Sequence, residues 1–276
     1  MNPIKVMVNG LPGNMATKVA EHALHDNDFQ LLPYSLTGPE ITDTETVVGS
    51  VSVRLIRPEE REDAIAKVQE AEGPLIAVDY THPSSVNSNA SFYCEKSIPF
   101  VMGTTGGDRE GLTKVVEKSS IPAVIAPNMA KQIVGFQAMM EFAAKEFPDL
   151  FKGYSLEIVE SHQKGKADTS GTAKAMVGYF NRLGVPFSKD NIQMIREPAA
   201  QQSELGVPED YLTGHGWHTY TLISEDGTVR FQFVHNVNGR DVYALGTLDA
   251  IRYLAAKVEE GITGRVFTMI DVLKGI

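Results

Sequence analysis

Apolar and polar positions along the chain follow two regimes that change near residue 131. Over residues 1–130, short apolar runs alternate with stretches of helical period. The runs 4–9, 75–79, 100–102 and 123–126 predict buried strands, with weaker ones at 31–35 and 51–56. Residues 16–25, 58–70, 86–96 and 111–118 predict the helices between them. Such alternation predicts a parallel sheet with helices on both faces. Ligands of these sheets bind beyond the carboxyl ends of the strands. Four glycine-rich or polar loops end strands there: Gly10-Leu11-Pro12-Gly13, Asp79-Tyr80-Thr81-His82-Pro83, Gly103-Thr104-Thr105-Gly106-Gly107 and Ala126-Pro127-Asn128-Met129.

Beyond residue 131 the periods lengthen and then turn to strand alternation. Residues 131–147 predict a long amphipathic helix, 154–160 a strand, and 170–183 a helix ended by Gly184. Residues 196–216, rich in Pro, Gln and Gly, predict a long loop. Strands at 218–224 and 228–235 are joined by Glu225-Asp226-Gly227, a hairpin signal, and 241–246 predicts a further strand. Helices at 247–259 and 266–273 close the chain. The expected division is a first domain of 1–130 plus about 247–276, and a second α+β domain of about 131–246 with a mixed, largely antiparallel sheet.

The first loop gives the fold class more definition. A buried strand, Gly10-Leu11-Pro12-Gly13-Asn14-Met15-Ala16, and a helix form the context of a dinucleotide fingerprint. Gly10 permits the tight turn, Gly13 admits a pyrophosphate to the helix N-terminus, and Ala16 stands where a third small residue packs helix on strand. The first domain is therefore expected to be a Rossmann-like nucleotide-binding α/β domain.

A second segment carries acid–base chemistry. After the strand ending at Glu160, a loop presents His162, Lys164 and Lys166, and Ser170-Gly171-Thr172 opens a helix. Histidine supplies a proton near neutral pH, lysine a point positive charge, and the free N–H groups of a helix start bind carboxylate oxygens. The bland alternative is a solvated basic loop with a capped helix. His215 and His218 have His-x-x-His spacing, but with no nearby Cys or second motif they are read as packing, and no metal is expected. Glu157 and Glu160 flank the loop. Either orients His162 or simply faces solvent.

The chain has 276 residues, a formal charge of −10 and a pI near 5.2. That balance argues against a nucleic-acid or anionic-membrane surface, though not against a small basic pocket. Cys94 is the sole cysteine, which excludes an intrachain disulfide and fits a reducing compartment. No apolar run is long enough for a membrane span. The first strand starts so early that no leader is expected within this numbering, and a segment removed upstream stays open. A cytoplasmic location, or a plastid stroma if a transit segment was removed, is the expectation.

With both motif groups placed, the chain closely resembles the dihydrodipicolinate reductases over its whole length. The resemblance rests on residues 10–15, Gly103-Thr104-Thr105-Gly106, Ala126-Pro127-Asn128 and Glu160-Ser161-His162 with Lys166-Ala167-Asp168 and Ser170-Gly171-Thr172-Ala173. Glu-Ser-His-Gln and His215-Gly216-Trp217-His218-Thr219-Tyr220 look more like the plant-type branch. The resemblance implies reduction of a cyclic imine dicarboxylate by NADPH or NADH, in the diaminopimelate route to lysine. It implies His162 as the proton donor, with Lys166 assisting and binding a carboxylate. Gln163, Ser170, Gly171, Thr172 and Thr105 would contact substrate. Gly10, Leu11, Pro12, Gly13, Asn14, Met15, Ser35, Thr37, Tyr80, Thr81, Gly103, Thr104, Thr105, Pro127, Asn128, Met129 and Arg240 would line the cofactor. A homo-oligomer, dimer or tetramer, is implied as well.

Three departures stand out. Gln163 replaces a second histidine of the bacterial branch, and Asp168-Thr169-Ser170 is one residue shorter. The run Tyr34-Ser35-Leu36-Thr37-Gly38 lacks the acidic residue that often meets the adenosine ribose. With Ser35 and Thr37 placed as donors to a 2′-phosphate, NADPH is the expected cofactor over NADH.

Overall fold

The computed structural model describes residues 2–275. The chain divides into two compact units, Met1–Lys131 with Asp241–Ile276, and Gln132–Arg240. In chain order the first unit contains β1 (Ile4–Asn9), α1 (Asn14–His25), β2 (Phe29–Leu31), β3 (Tyr34–Leu36), β4 (Glu45–Val48) and β5 (Val51–Ile56). It continues with α2 (Arg61–Glu72), β6 (Ile76–Asp79), α3 (Val86–Glu95), β7 (Phe100–Met102), α4 (Arg109–Glu117) and β8 (Ala123–Ile125). The second unit is built from α5 (Lys131–Glu146), β9 (Tyr154–His162), α6 (Gly171–Arg182), β10 (Gln193–Ile195), the single turn α7 (Pro198–Ala200), β11 (His215–Ser224) and β12 (Arg230–Asn238). The chain then returns to the first unit as α8 (Asp241–Glu259), β13 (Val266–Phe267) and α9 (Met269–Gly275).

The first unit holds a six-stranded parallel sheet of order β13-β8-β7-β6-β1-β2. Every residue of β6, β7 and β8 is buried, as expected of strands covered on both faces. Met7, Ala77, Phe100, Tyr93, Ile65 and Val116 form much of its core. Because the strands are parallel, the loops after β1, β6, β7 and β8 all leave from one edge. A separate small sheet, β3-β5-β4, lies against the end of β1, where the Gly10 N–H donates to the Leu36 carbonyl at 2.8 Å. The expected strand at 31–35 is therefore two short strands in two different sheets. Pro33, which offers no ladder N–H, lies at the break.

The second unit holds a mixed sheet of order β10-β9-β11-β12, with only the β10–β9 pair parallel. Helix α6 buries Ala173, Met176, Val177 and Phe180 in a core with Ile158, Tyr220 and Leu222.

Several elements differ from expectation. His162 is the last residue of β9, not part of the loop. The strand expected at 241–246 is the first turns of α8, where Ala244, Leu248, Ile251 and Leu254 keep a helical period and Asp241 favours the helix start. The helix expected at 266–273 splits into β13 and α9. Strands β4 and β10 were missed; β10 exposes Gln193 and Met194, so it shows no buried alternation.

Candidate active site

In the first unit, the turn after β1 opens a cavity of about 920 Å³ whose lining includes Gly10, Leu11, Pro12, Gly13, Thr37, Gly38, Tyr80 and Thr81. Gly10 has φ +101°, and a Cβ there would run into the Tyr80 carbonyl, so the turn requires glycine. Gly13 caps α1 without a side chain, leaving the helix N–H groups facing outward beside exposed Asn14 and half-buried Met15. A glycine turn, a helix N-terminus and a cavity of this size fit the pyrophosphate and nucleoside of a dinucleotide.

Two expected cofactor contacts prove structural. Ser35 is fully buried; its hydroxyl accepts from the Leu11 N–H at 3.2 Å and lies 3.4 Å from the Leu36 carbonyl. Thr37 is also buried and donates to the Leu11 carbonyl at 2.9 Å. Both hold the glycine turn, so neither hydroxyl is free for a 2′-phosphate. The charged groups at this end of the cavity are Glu40, whose carboxylate folds over Gly38, and Arg61 at the start of α2. The Arg61 guanidinium lies 4.5 Å over the Phe92 ring and enters no ion pair among the described residues.

Asp79 organises the neighbouring loops. It is completely buried and accepts from Tyr93 at 2.8 Å, Asn89 at 3.0 Å, and the hydroxyls of Thr81 and Thr104 at 2.8 and 2.6 Å. Thr104 thus turns inward, while Thr105 next to it is exposed. The Tyr80 hydroxyl is 2.6 Å from that of Thr247, and burial pushes its pKa up to about 12. Its ring occupies the space a side chain at Gly103 would need. Pro127 is exposed, Asn128 accepts from the Ala130 N–H at 2.9 Å, and Met129 is part of the buried core. The side chain expected of Met129 in the cofactor crevice is therefore spent on packing.

In the second unit, strand register assembles a polar cluster on one sheet face. Glu160 and His162 are two residues apart on β9, and His218 on β11 sits directly opposite Glu160. Gly216 stands opposite His162, and a Cβ there would lie 3.0 Å from the imidazole. His162 Nδ1 donates to the His215 carbonyl at 3.0 Å, which leaves Nε2 as a lone pair with no partner. Burial lowers the His162 pKa to about 4, with the positive charges of Arg196 and Lys166 acting in the same direction. On the opposite face Ser161 meets His215 Nε2 at 2.7 Å, and His215 Nδ1 meets the Tyr211 carbonyl at 2.9 Å. His215 and His218 therefore do not act as a pair.

Glu160 is not a solvent-facing carboxylate. It is fully buried, 2.5 Å from Arg196, and accepts the Ser170 N–H at 3.0 Å. Arg196 also donates to the Lys166 carbonyl at 2.9 Å. It thereby ties β9, the 163–169 loop and the start of α6 together. Ser170 is buried with its N–H engaged, whereas Gly171 is exposed and Thr172 half-buried, at a first turn whose N–H groups lack intrahelical partners. Lys166 reaches Asp168 at 2.8 Å and remains partly exposed, and Gln163 is half-buried. Lys164 pairs with Glu197 at the surface. The Arg240 guanidinium lies beside Gly214 of the same unit.

Arg196 and Gln201 were not singled out from the sequence. Gln201 is fully buried and donates to the carbonyls of His162 at 2.7 Å and Ile195 at 3.1 Å, fixing the end of β9. Both lie in the stretch expected to be loop. The one available signal was that a strand carboxylate at Glu160, if buried, needs a cation.

Comparison with known proteins accounts for both units. The model of "Dihydrodipicolinate reductase, N-terminus" matches residues 4–129, and that of "Dihydrodipicolinate reductase, C-terminus" matches residues 133–273. The chain belongs to the dihydrodipicolinate reductase family. A protein of Arabidopsis thaliana named 4-hydroxy-tetrahydrodipicolinate reductase 2, chloroplastic, is 47% identical over 273 residues, covering 99% of this chain and 78% of its own length. A probable chloroplastic counterpart in Oryza sativa subsp. japonica is 45% identical, covering 98% and 82%. Among solved structures, a dipicolinate-bound dihydrodipicolinate reductase from Paenisporosarcina sp. TG-14 has the same fold. Its TM-score is 0.67 at 19% identity, with 98% of each chain covered.

Proposed function

We propose that this chain is a 4-hydroxy-tetrahydrodipicolinate reductase, an oxidoreductase of the diaminopimelate route to lysine. The observation that carries the reading is His162. Its free Nε2 lies in a cluster with Lys166, Arg196 and the open start of α6, in a chain 47% identical to a reductase of that name. The Gly10–Gly13 turn and the start of α1 would hold the pyrophosphate of a reduced nicotinamide dinucleotide, which would supply the hydride. The chain's own residues do the rest. Lys166 and the N–H groups of Gly171 and Thr172 hold the carboxylates of a small dicarboxylate, turning binding energy into orientation. His162 delivers the proton from Nε2.

The low pKa of His162 fits this role once the substrate's charge is counted. Without substrate, burial and two cations keep the imidazole neutral, with its proton on Nδ1. A dianionic ligand offsets Lys166 and Arg196 and favours the imidazolium that can donate. Arg240 and Thr105 keep the roles expected of them as proposals, facing cofactor and substrate.

For the cofactor we assign a preference for NADPH to Arg61, in place of Ser35 and Thr37. It is a cation in the nucleotide cavity, held by ring stacking and not spent on a carboxylate. A homo-oligomer is the expected assembly. The long edge strand β12, which exposes Phe231 and Val234, offers the surface. Relatives at 44–47% identity are chloroplastic by name. For this chain the reading is an aqueous compartment, plastid stroma or cytoplasm, and no helix among the described residues is long and apolar enough to cross a membrane.

The test is oxidation of NADPH with substrate generated in place by the preceding synthase. His162→Ala should lose about 10²–10⁴ in kcat while still binding NADPH. A folded wild type that binds NADPH but does not oxidise it with this substrate would defeat the reading.

A further inference from the structure

We propose that Glu160, His162 and His218 form a binding site for a divalent transition-metal ion of the zinc type. An ion bound there would occupy the imidazole nitrogen that the reaction needs. The inhibitory part rests on the function proposed above; the site itself does not.

The argument starts from strand register. Two ligands two residues apart on β9 and a third directly opposite on β11 point their side chains to one face. One ligand atom from each of the three lies within 4.8 Å of the other two. The Glu160 Oε2 to His218 Nε2 distance is 3.7 Å. A tetrahedral zinc with bonds near 2.1 Å needs its ligands about 3.4 Å apart. Side-chain movements of at most about 1.4 Å, the difference between 4.8 and 3.4 Å, close that gap.

The second observation is orphaned nitrogen. His218 is only 4% exposed, and its Nε2, which faces Glu160, has no hydrogen-bond partner. His162 Nε2 is likewise buried and unpartnered. Buried polar atoms in native proteins are nearly always satisfied, so orphaned nitrogens on two imidazoles within 4.8 Å of one carboxylate call for an occupant.

The surroundings suit a metal. His162 already donates its other N–H to a backbone carbonyl, the arrangement that fixes a ligating imidazole with its lone pair outward. The Ser170 N–H bridges both Glu160 oxygens, at 3.0 Å from Oε2 and 3.2 Å from Oε1, and Arg196 takes Oε1, so an ion would use the second lone pair of Oε2, the oxygen that faces His218. Two imidazoles and one carboxylate with an open fourth position favour zinc-like ions over magnesium or calcium. Arg196 opposes a second cation nearby, so the site is a reversible one and not a permanent structural centre.

The test uses tag-free protein treated with a chelator and then titrated with Co²⁺, whose visible absorption reports coordination. One equivalent should bind per chain, be displaced by Zn²⁺, and be retained in His235→Asn, a neighbour that stacks on His218 without joining the ligand set. His218→Asn should weaken binding by at least about tenfold, since changes to groups behind a ligand already cost 10–100-fold. If the variants fail to fold, Zn²⁺ should still slow diethyl pyrocarbonate modification of His162 in the wild type, read by peptide mass. No Co²⁺ bound at micromolar protein, equal binding in His218→Asn, or unchanged His162 modification would each overturn the site. Turnover is measured separately: Zn²⁺ should inhibit it and a chelator restore it. Undiminished turnover with Zn²⁺ bound would refute the inhibition, whereas absent turnover with Co²⁺ bound would refute only the reductase reading.

Discussion

Replacing Arg196 with Met should unfold the second unit far more easily while leaving the first intact. Glu160 has no solvent exposure and Arg196 about 15%, with 2.5 Å between Nη2 and Oε1. Two unit charges about 4 Å apart interact by about 4 kcal/mol at an effective dielectric near 20. Removing one partner of a buried pair typically costs about 3–5 kcal/mol, because the other charge is stranded. The Ser170 N–H continues to bond Glu160, which keeps the loss at the lower end of that range. Arg196→Met also forfeits the bond to the Lys166 carbonyl, so the 163–169 loop loosens as well. Trp217 is the only tryptophan and lies in β11, so its fluorescence in a urea titration reports this unit. The expected loss is about 3 kcal/mol. Adding Glu160→Gln should recover part of it, with a coupling of about 1–3 kcal/mol in the double-mutant cycle. A loss below about 1 kcal/mol, the range of exposed pairs, would refute the reasoning that Glu160 depends on Arg196.

Asp79→Asn leaves a buried amide facing three hydroxyls and the Asn89 amide, so the loops after β6 and β7 should lose their fixed geometry. NADPH affinity, followed by fluorescence titration, should fall before kcat does; an unchanged Kd would count against that role. Arg61→Ala should lower kcat/KM for NADPH by about tenfold, the size of one charge-assisted bond, with little change for NADH. Equal losses for both cofactors would remove the 2′-phosphate assignment. Burial lowers the pKa of His218 to about 2 and of His162 and His235 to about 4, against 6.5 for each ordinarily. Between pH about 6.5 and 4 the unfolded chain therefore binds more protons than the folded one, and stability must fall as pH drops through that window. A urea midpoint for Trp217 that stays flat from pH 6.5 to 4 would contradict the burial of these rings.

The first unit was legible because its signals are local. An apolar run of four to six residues, a glycine turn and a helical period each lie within a dozen positions. The edge on which the four loops gather then follows from the strands being parallel. What failed there failed for want of long-range information. Ser35 and Thr37 carry hydroxyls at suitable positions along the chain, but the close approach of β3 to the Leu11 turn consumes both. Glu40 and Arg61 carry the charges that remain, and neither sits where the usual pattern places them. Val242-Tyr243-Ala244-Leu245 is a short apolar run, a pattern that a strand and a buried helix share. Only the continuing period through Leu248, Ile251 and Leu254 shows it to be helix.

The second site shows why chemistry in antiparallel sheets is harder to see. His162, Lys166 and Ser170 are close in sequence and were visible together. The residues that control them come from 196, 201, 215 and 218, brought in by strand pairing for the last two and by long-range side-chain bonds for the first two, which no spacing rule encodes. Glu160 was ambiguous for the same reason. A carboxylate in an alternating strand is exposed or buried according to what covers that face, and here α6 and Arg196 cover it. Burial then reverses its electrostatic meaning: it anchors a cation and a helix N-terminus, and it leaves one oxygen facing a histidine with no proton partner. The orphaned nitrogens of His162 and His218 arise from that geometry alone, as each histidine taken singly is ordinary in sequence.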